Sequence, residues 1–391
     1  MKPEMEPAME DKMILDEPLA PQRSRRQEFW SLLKKNRLAV WGLATFVVFF
    51  CVALGGLVLT AGTDPIMDPS RVRLQEKLRP PLARPNLETL KPTDVPVLGL
   101  YLLGTDDLGR DVFARMLQGA WVSLTVGFVA VGISVLIGIF MGGVAGYYGE
   151  VKIRIKHLIM TGLLITGIGL LAAKIYLWGL LISMTALLWL ITLATIKNKP
   201  HAIPDPDKDG LLQKKTLSVD TLIMRFVDIM LCFPSFFLIL TVIAILPASI
   251  YNIMIVIGLT SWMVSARLVR AEFLSLREQD FVAAARALGV GNFRIIFRHM
   301  MPNAMGPVLV SATIGIAYAI LTEAGLSFLG FGVPPPHATW GNILSDGRRF
   351  IFDAPWLTFT PGIAILVVVL AFNLFGEGLR DVLNPRLRER R

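Results

Sequence analysis

The chain is short of the residues that build disulfide frameworks, metal centres and charged surfaces. It holds two cysteines and four histidines in 391 residues. Cys51 and Cys232 both lie inside apolar runs, so the expectation is two small buried hydrophobes and no disulfide. His157, His201, His299 and His337 are far apart, and none has the spacing of a metal ligand set. Charged residues are only 18% against 54% hydrophobic, and the mean hydropathy is +0.58, which excludes an ordinary soluble domain. No GxxxxGK(S/T) phosphate loop occurs, so the chain by itself is not expected to hydrolyse ATP. No nucleophile–base constellation is visible either, and no cofactor is expected on this chain.

What is present instead is long apolar runs. Residues 39–60 and 121–147 carry no charge, and each exceeds the roughly 20 residues that cross a bilayer as a helix. The strict alternation of a membrane β-barrel is absent, so the spans should be helical and satisfy their own backbone hydrogen bonds. The net charge of +9 might point to nucleic acid, but its placement argues for a lipid bilayer. Basic residues flank the apolar runs: Arg23, Arg25, Arg26, Lys34, Lys35 and Arg37 before the first, Arg380, Arg386, Arg388, Arg390 and Arg391 after the last. That is the positive-inside pattern, and it predicts both termini in the cytoplasm. No basic–aromatic interleaving of a single-strand binder appears.

The expected organisation follows from those runs. Residues 1–38 read as a cytoplasmic tail and amphipathic lead-in, not a cleaved signal, because the apolar run that follows is too long. Residues 39–120 give the first span and a Pro-punctuated outer segment. Residues 121–149 and 218–391 give the remaining core, with spans near 121–147, 226–245, 253–266, 305–329 and 357–375. Residues 150–217 read as an extra membrane hairpin, with Lys174 at its outer tip, followed by a cytoplasmic linker. The sum is eight spans. A polar loop at 267–303 carries six arginines and should be cytoplasmic.

That loop contains DFVAAARALGVGNFRIIFRHMMPN, residues 280–303. Asp280 is a good N-cap, Phe281, Ala284, Ala285 and Leu288 recur at helical spacing, and Gly289 is placed to end the helix in a left-handed conformation. Asn292 can cap a second short helix, 293–301, that Pro302 stops. A helix–Gly–helix with small residues on its flank suits docking into a groove. It resembles the Glu-Ala-Ala loop of binding-protein-dependent ABC importer permeases. Ala284, Ala285, Gly289 and Pro302 match that pattern, while Ala283 stands at the Glu position and Met301 at the Leu position. LGTDDLGRDVFARMLQGAWVSL at 103–124, DTLIMRFVDIMLCFPS at 220–235, FLGFGVPPPHATWGNIL at 328–344 and the block at 354–388 resemble, in this order, the second permease subunit of dipeptide, oligopeptide and nickel importers.

The resemblance implies an all-α, polytopic type I ABC importer permease core of six helices, here with the hairpin inserted. It further implies a homologous second permease, two ABC ATPase subunits holding ATP and Mg2+, and an extracytoplasmic solute-binding protein. The setting would be the bacterial cytoplasmic (inner) membrane, and the substrate a peptide, with nickel or another chelate as the alternative. On that reading Asp280, Ala283, Ala284, Ala285, Leu288, Gly289 and Pro302 form the ATPase-coupling site. A secondary transporter or channel working without ATPases is the competing class, and inverted repeats with paired broken helices are not visible in its favour. Glu323 lies inside an apparent span and has two readings, a translocation-path residue or a carboxylate near the outer interface. Asp228 is expected to pair with Arg225, three residues earlier. The GTDDLGRD stretch at 104–111 reads as an interfacial turn, not a metal loop.

Overall fold

The computed structural model describes residues 30–383, apart from 35, 63–64, 89, 92–93, 150–151 and 155–214. The expected hairpin of 150–217 therefore falls largely outside the described residues, and only its two ends are seen. Among the described residues five helices are long and apolar enough to cross a membrane, and a bent pair makes six if it counts as one span. The described part of the chain is thus a bundle of long apolar helices.

The first span, α1, is Arg37–Thr60, opened by Asn36, whose side chain accepts from the Ala39 amide at 3.2 Å. α2, Val112–Tyr148, is 37 residues long and starts nine residues before the apolar run, because Asp111 caps it by accepting from the Phe113 amide at 2.9 Å. A two-stranded antiparallel ribbon, β1 (Lys152–Arg154) with β2 (Lys215–Ser218), follows it, with Arg154 opposite Lys215. Next come α3 (Val219–Leu231) and α4 (Ser235–Ile245), bent by 80° to each other. The expected straight span 226–245 is therefore broken. Pro234 lacks the N–H that would continue the ladder, and its ring excludes the preceding turn. α5, Ile250–Arg277, and the short α6, Asp280–Ala287, follow.

α7 runs Asn292–Phe328 without a stop at Pro302. Residues Ile295–Met300 form a π turn, and Pro302 sits in the first turn of the regular helix beyond it, where a missing N–H is tolerated. The predicted separate helix 293–301 and span 305–329 are one element. α8, Trp340–Gly347, is set by a capping box between Thr339 and Asn342, and α9, Trp356–Leu383, closes the chain.

Apolar surface alone gives such helices little reason to associate in lipid, so packing rests on close backbone approach. α2 supplies it. A Cβ on Gly138, Gly142 or Gly146 would lie 2.5, 2.3 or 2.5 Å from atoms of Ser265, Ala266 or Phe273. These glycines recur every four residues and hold α5 against α2 along its length. At mid-height Leu124, Ile257, Ile320 and Phe372 share one buried cluster from α2, α5, α7 and α9. α1 joins by its Gly42 face against α9, and Asn36 donates to Asp381 at 3.1 Å.

Two expectations fail here. Cys51 and Cys232 are free but exposed, since an apolar helix in a membrane need not turn its small residues inward. Asp228 pairs with Arg267 of α5 at 2.5 Å, a neighbour that spacing within α3 could not reveal.

Candidate functional site

At the end of the molecule where α5 runs into α6 and α7 begins, the polar loop is a folded unit. Val282 and Ala285 are buried against Phe273, Ile295 and Met300. The inward stripe of α6 is therefore Val282–Ala285. Ala285, expected on the docking flank, is part of the packing, while Phe281, Ala283, Ala284 and Leu288 face outward. Asp280 is not the N-cap. Gln279 holds that place without a side-chain bond, and Asp280 is the first helical residue, where its charge still meets the helix dipole.

Gly289 has φ +72° and ends α6. Its amide donates to Arg286 O at 3.0 Å and the Val290 amide donates to Ala285 O at 3.1 Å, the paired bonds of a Schellman cap. A Cβ here would meet nothing within 4 Å, so glycine is required by the backbone angle and not by space. Tyr147, at the end of α2, latches the unit. Its hydroxyl donates to Asn292 Oδ1 at 2.7 Å, and Arg286 lies over its ring at 5.5 Å. Asn292, expected as a cap, instead lies inside the first turn of α7. The sequence reading missed Tyr147, since nothing local links it to a loop 145 residues away. Leu288 is 82% exposed and Phe293 74%, with Phe297 ring-to-ring 4.5 Å from Phe293. The outward face is thus an apolar patch.

α5 and α7, with parts of α2, α3, α4 and α9, wall a groove of about 1850 Å³. Its lining is mostly apolar, with Val131, Leu238, Ile257, Val264 and Ile314, and the hydroxyls of Ser134, Ser235, Thr260, Ser261, Ser311 and Tyr318 are scattered among them, while Arg267, Glu272 and Arg380 line it at the loop end. Pro302 lines the groove too, on α7. α5 passes from groove wall to α6 through two residues.

Glu323 is fully buried and is not among the residues lining the groove. Its carboxylate accepts from Ser327 at 2.7 Å and from Ser123 at 3.3 Å, and Ser123 Oγ accepts from the Trp340 amide at 3.4 Å. It ties α7 to α2 beneath the start of α8. It lies near the Phe328 end of α7 and pairs with the neighbouring helix there. The 104–111 stretch is the turn expected of it. Asp106 is buried and binds Arg110 at 2.7 Å and Arg115 at 2.6 Å, and Asp346 of α8 joins the same two guanidiniums at 3.3 and 3.0 Å. Among the described residues no three His, Cys, Asp or Glu side chains gather as a metal site.

Residues 213–389 match the family model of the binding-protein-dependent transport system inner membrane component, and residues 24–81 match that of the N-terminal TM domain of oligopeptide transport permease C. The dipeptide transport system permease protein DppC of Alkalihalophilus pseudofirmus is 35% identical over 362 residues, 93% of this chain and 90% of that protein. The di/tripeptide transport system permease protein DppC of Pseudomonas aeruginosa is 31% identical over 98% of this chain and 97% of its own. The oligopeptide transport system permease protein OppC of Bacillus subtilis is 32% identical over 74% of this chain and 73% of its own. A solved structure of the MetNI methionine ABC transporter, inward facing, aligns with a TM-score of 0.41 and 15% identity over 68% of this chain and 95% of that chain.

Proposed function

The chain belongs to the family of binding-protein-dependent transport system inner membrane components, and on that premise we propose that it is one permease subunit of a bacterial ABC importer for peptides. A second, homologous permease faces the open side of the groove and completes a path through the lipid bilayer. Two ATPase subunits, which bind the ATP and Mg2+, dock on the outward face of α6, and an extracytoplasmic binding protein delivers the peptide. Both termini and the α6 loop lie in the cytoplasm. The observation that carries this reading is the continuity of groove wall and docking loop on α5 and α7. A partner pushing on α6 levers the groove, which is how hydrolysis elsewhere drives transport here. A mostly apolar groove with scattered hydroxyls offers packing to a peptide's side chains and a few hydrogen bonds to its backbone carbonyls and amides.

The test is Gly289→Val in the complex reconstituted with its ATPases and binding protein. A β-branched residue in the left-handed region costs on the order of 1–2 kcal/mol and misdirects the start of α7. Spans should stay folded, while uptake of a labelled dipeptide and the stimulation of ATP hydrolysis by loaded binding protein are lost. Stimulated hydrolysis at the wild-type level would remove α6 from the coupling role.

A further inference from the structure

A second cavity, of about 510 Å³, opens between α3 and α5, lined by Asp220, Thr221, Arg225, Asp228, Arg267 and Arg270 together with Met224. Charges inside an apolar chain are costly unless paired or held at headgroup level, so five of them on two adjoining helices mark the boundary of the membrane. The carboxylates are already used: Asp220 is bound two-pronged by Arg270, and Asp228 by Arg267. Arg225 is exposed and joins no ion pair among the described residues. Three guanidiniums against two carboxylates leave one positive charge and one open donor fork.

The neighbouring surface is greasy. Leu222, Phe226 and Ile229 are 37, 48 and 59% exposed and recur at helical spacing beside Arg225, and Phe226 stacks on Trp262 with centroids 6.0 Å apart. Phe237 continues the exposed apolar surface past the bend. Trp262 itself is buried, so it backs Phe226 and holds the exposed stripe in place. We propose that this cavity binds the phosphate of an anionic phospholipid headgroup, gripped by Arg225 at its open side, with the acyl chains lying on the Leu222–Phe226–Ile229 stripe. Arginine's planar fork matches phosphate oxygens, and basic pockets between membrane helices hold such headgroups. A free phosphate would use the guanidinium but not the stripe, so the lipid is the better fit. The site stands whatever solute the groove carries.

The experiment uses the assembled complex in phosphatidylcholine nanodiscs doped with a photoactivatable phosphatidylglycerol, with cross-links mapped by mass spectrometry. Label should fall on the α3 peptide, drop several-fold in Arg225→Gln, persist in Arg225→Lys, and be unaffected by excess inorganic phosphate. The exposed, unpaired position of Arg225 lets both variants fold. Equal labelling by a photoactivatable phosphatidylcholine, or undiminished labelling of Arg225→Gln, would reduce the site to ordinary annular contact and overturn the proposal. Competition by phosphate would reassign it to a free anion, and loss of a protein subunit in Arg225→Gln would reassign it to a subunit interface.

Discussion

Tyr101 illustrates how a single hydroxyl can work against its surroundings. It is fully buried outside the spans, its oxygen has no hydrogen-bond partner among the described residues, and burial pushes its pKa up from 10.0 to about 12, with Arg73 nearby opposing. The neutral form is favoured by folding. The unfolded chain loses its proton near 10 and the folded chain near 12, so this contribution is complete below pH 10 and is lost across pH 10–12. Tyr101→Phe should leave thermal stability at neutral pH equal or higher, since an unpaired hydroxyl is removed, and should flatten the fall across that alkaline window. A clear loss at neutral pH would reveal a partner for the hydroxyl. Glu323 is the opposite case, a buried carboxylate whose acceptor capacity is used by Ser123 and Ser327. Glu323→Ala strands both hydroxyls and should cost roughly 1–3 kcal/mol, seen as a lower melting temperature in detergent and less assembled complex. Glu323→Gln, which keeps shape and acceptor, should recover most of it. Wild-type stability of Glu323→Ala with uptake abolished would restore a path role.

Elements in this fold are chosen by where backbone can meet backbone. Gly142 and Gly132 lie on the same helix, α2, and differ only in what they face: a Cβ at Gly142 would lie 2.3 Å from Ala266 O, and one at Gly132 meets nothing within 4 Å. Gly142→Ala should force α2 from α5 and lower the yield of monodisperse protein. Gly132→Ala should be neutral or stabilise by up to about 1 kcal/mol through helix propensity. Equal behaviour in size-exclusion and thermal assays would mean that the α2–α5 contact is not tight. The same contrast explains what could be read in advance. Apolar runs and the cap at Gly289 are local signals, so the spans and the end of α6 were legible. The bend at Pro234 was hidden by apolar residues on both sides that read as one run. The burial of Glu323 depends on which face of an almost wholly apolar helix meets another, and periodicity carries no such information there, while the partner of Asp228 and the inward turn of Ala285 are set by elements distant in sequence. Tyr147 and Asn292 meet only because glycines let α2 lie against α5.

At the scale of the whole molecule, the departure from a six-helix core enters and leaves at one place. β1 pairs with β2 in antiparallel register, with Lys152 opposite Ser218 and Arg154 opposite Lys215. Opposed residues of such a pair lie roughly 5 Å apart at Cα, a gap that a two-residue turn closes. The core therefore does not need residues 155–214 to bring α2 and α3 together, since Ile223 and Val227 of α3 are buried and Val227 packs with Trp262, Met263 and Ala266 of α5. Replacing 155–214 by Asn-Gly, the pair best suited to a tight hairpin turn, should give a shorter chain that inserts into the membrane and is retained by its partner subunits. Co-purification from detergent and the melting temperature of the complex are the readouts, both expected close to wild type. Peptide uptake then separates two roles for the inserted segment. Uptake kept places it outside the transport cycle, and uptake lost with assembly intact makes it a working part added to a complete core. Failure to assemble at all would show that the ribbon is held by the insertion, not the reverse.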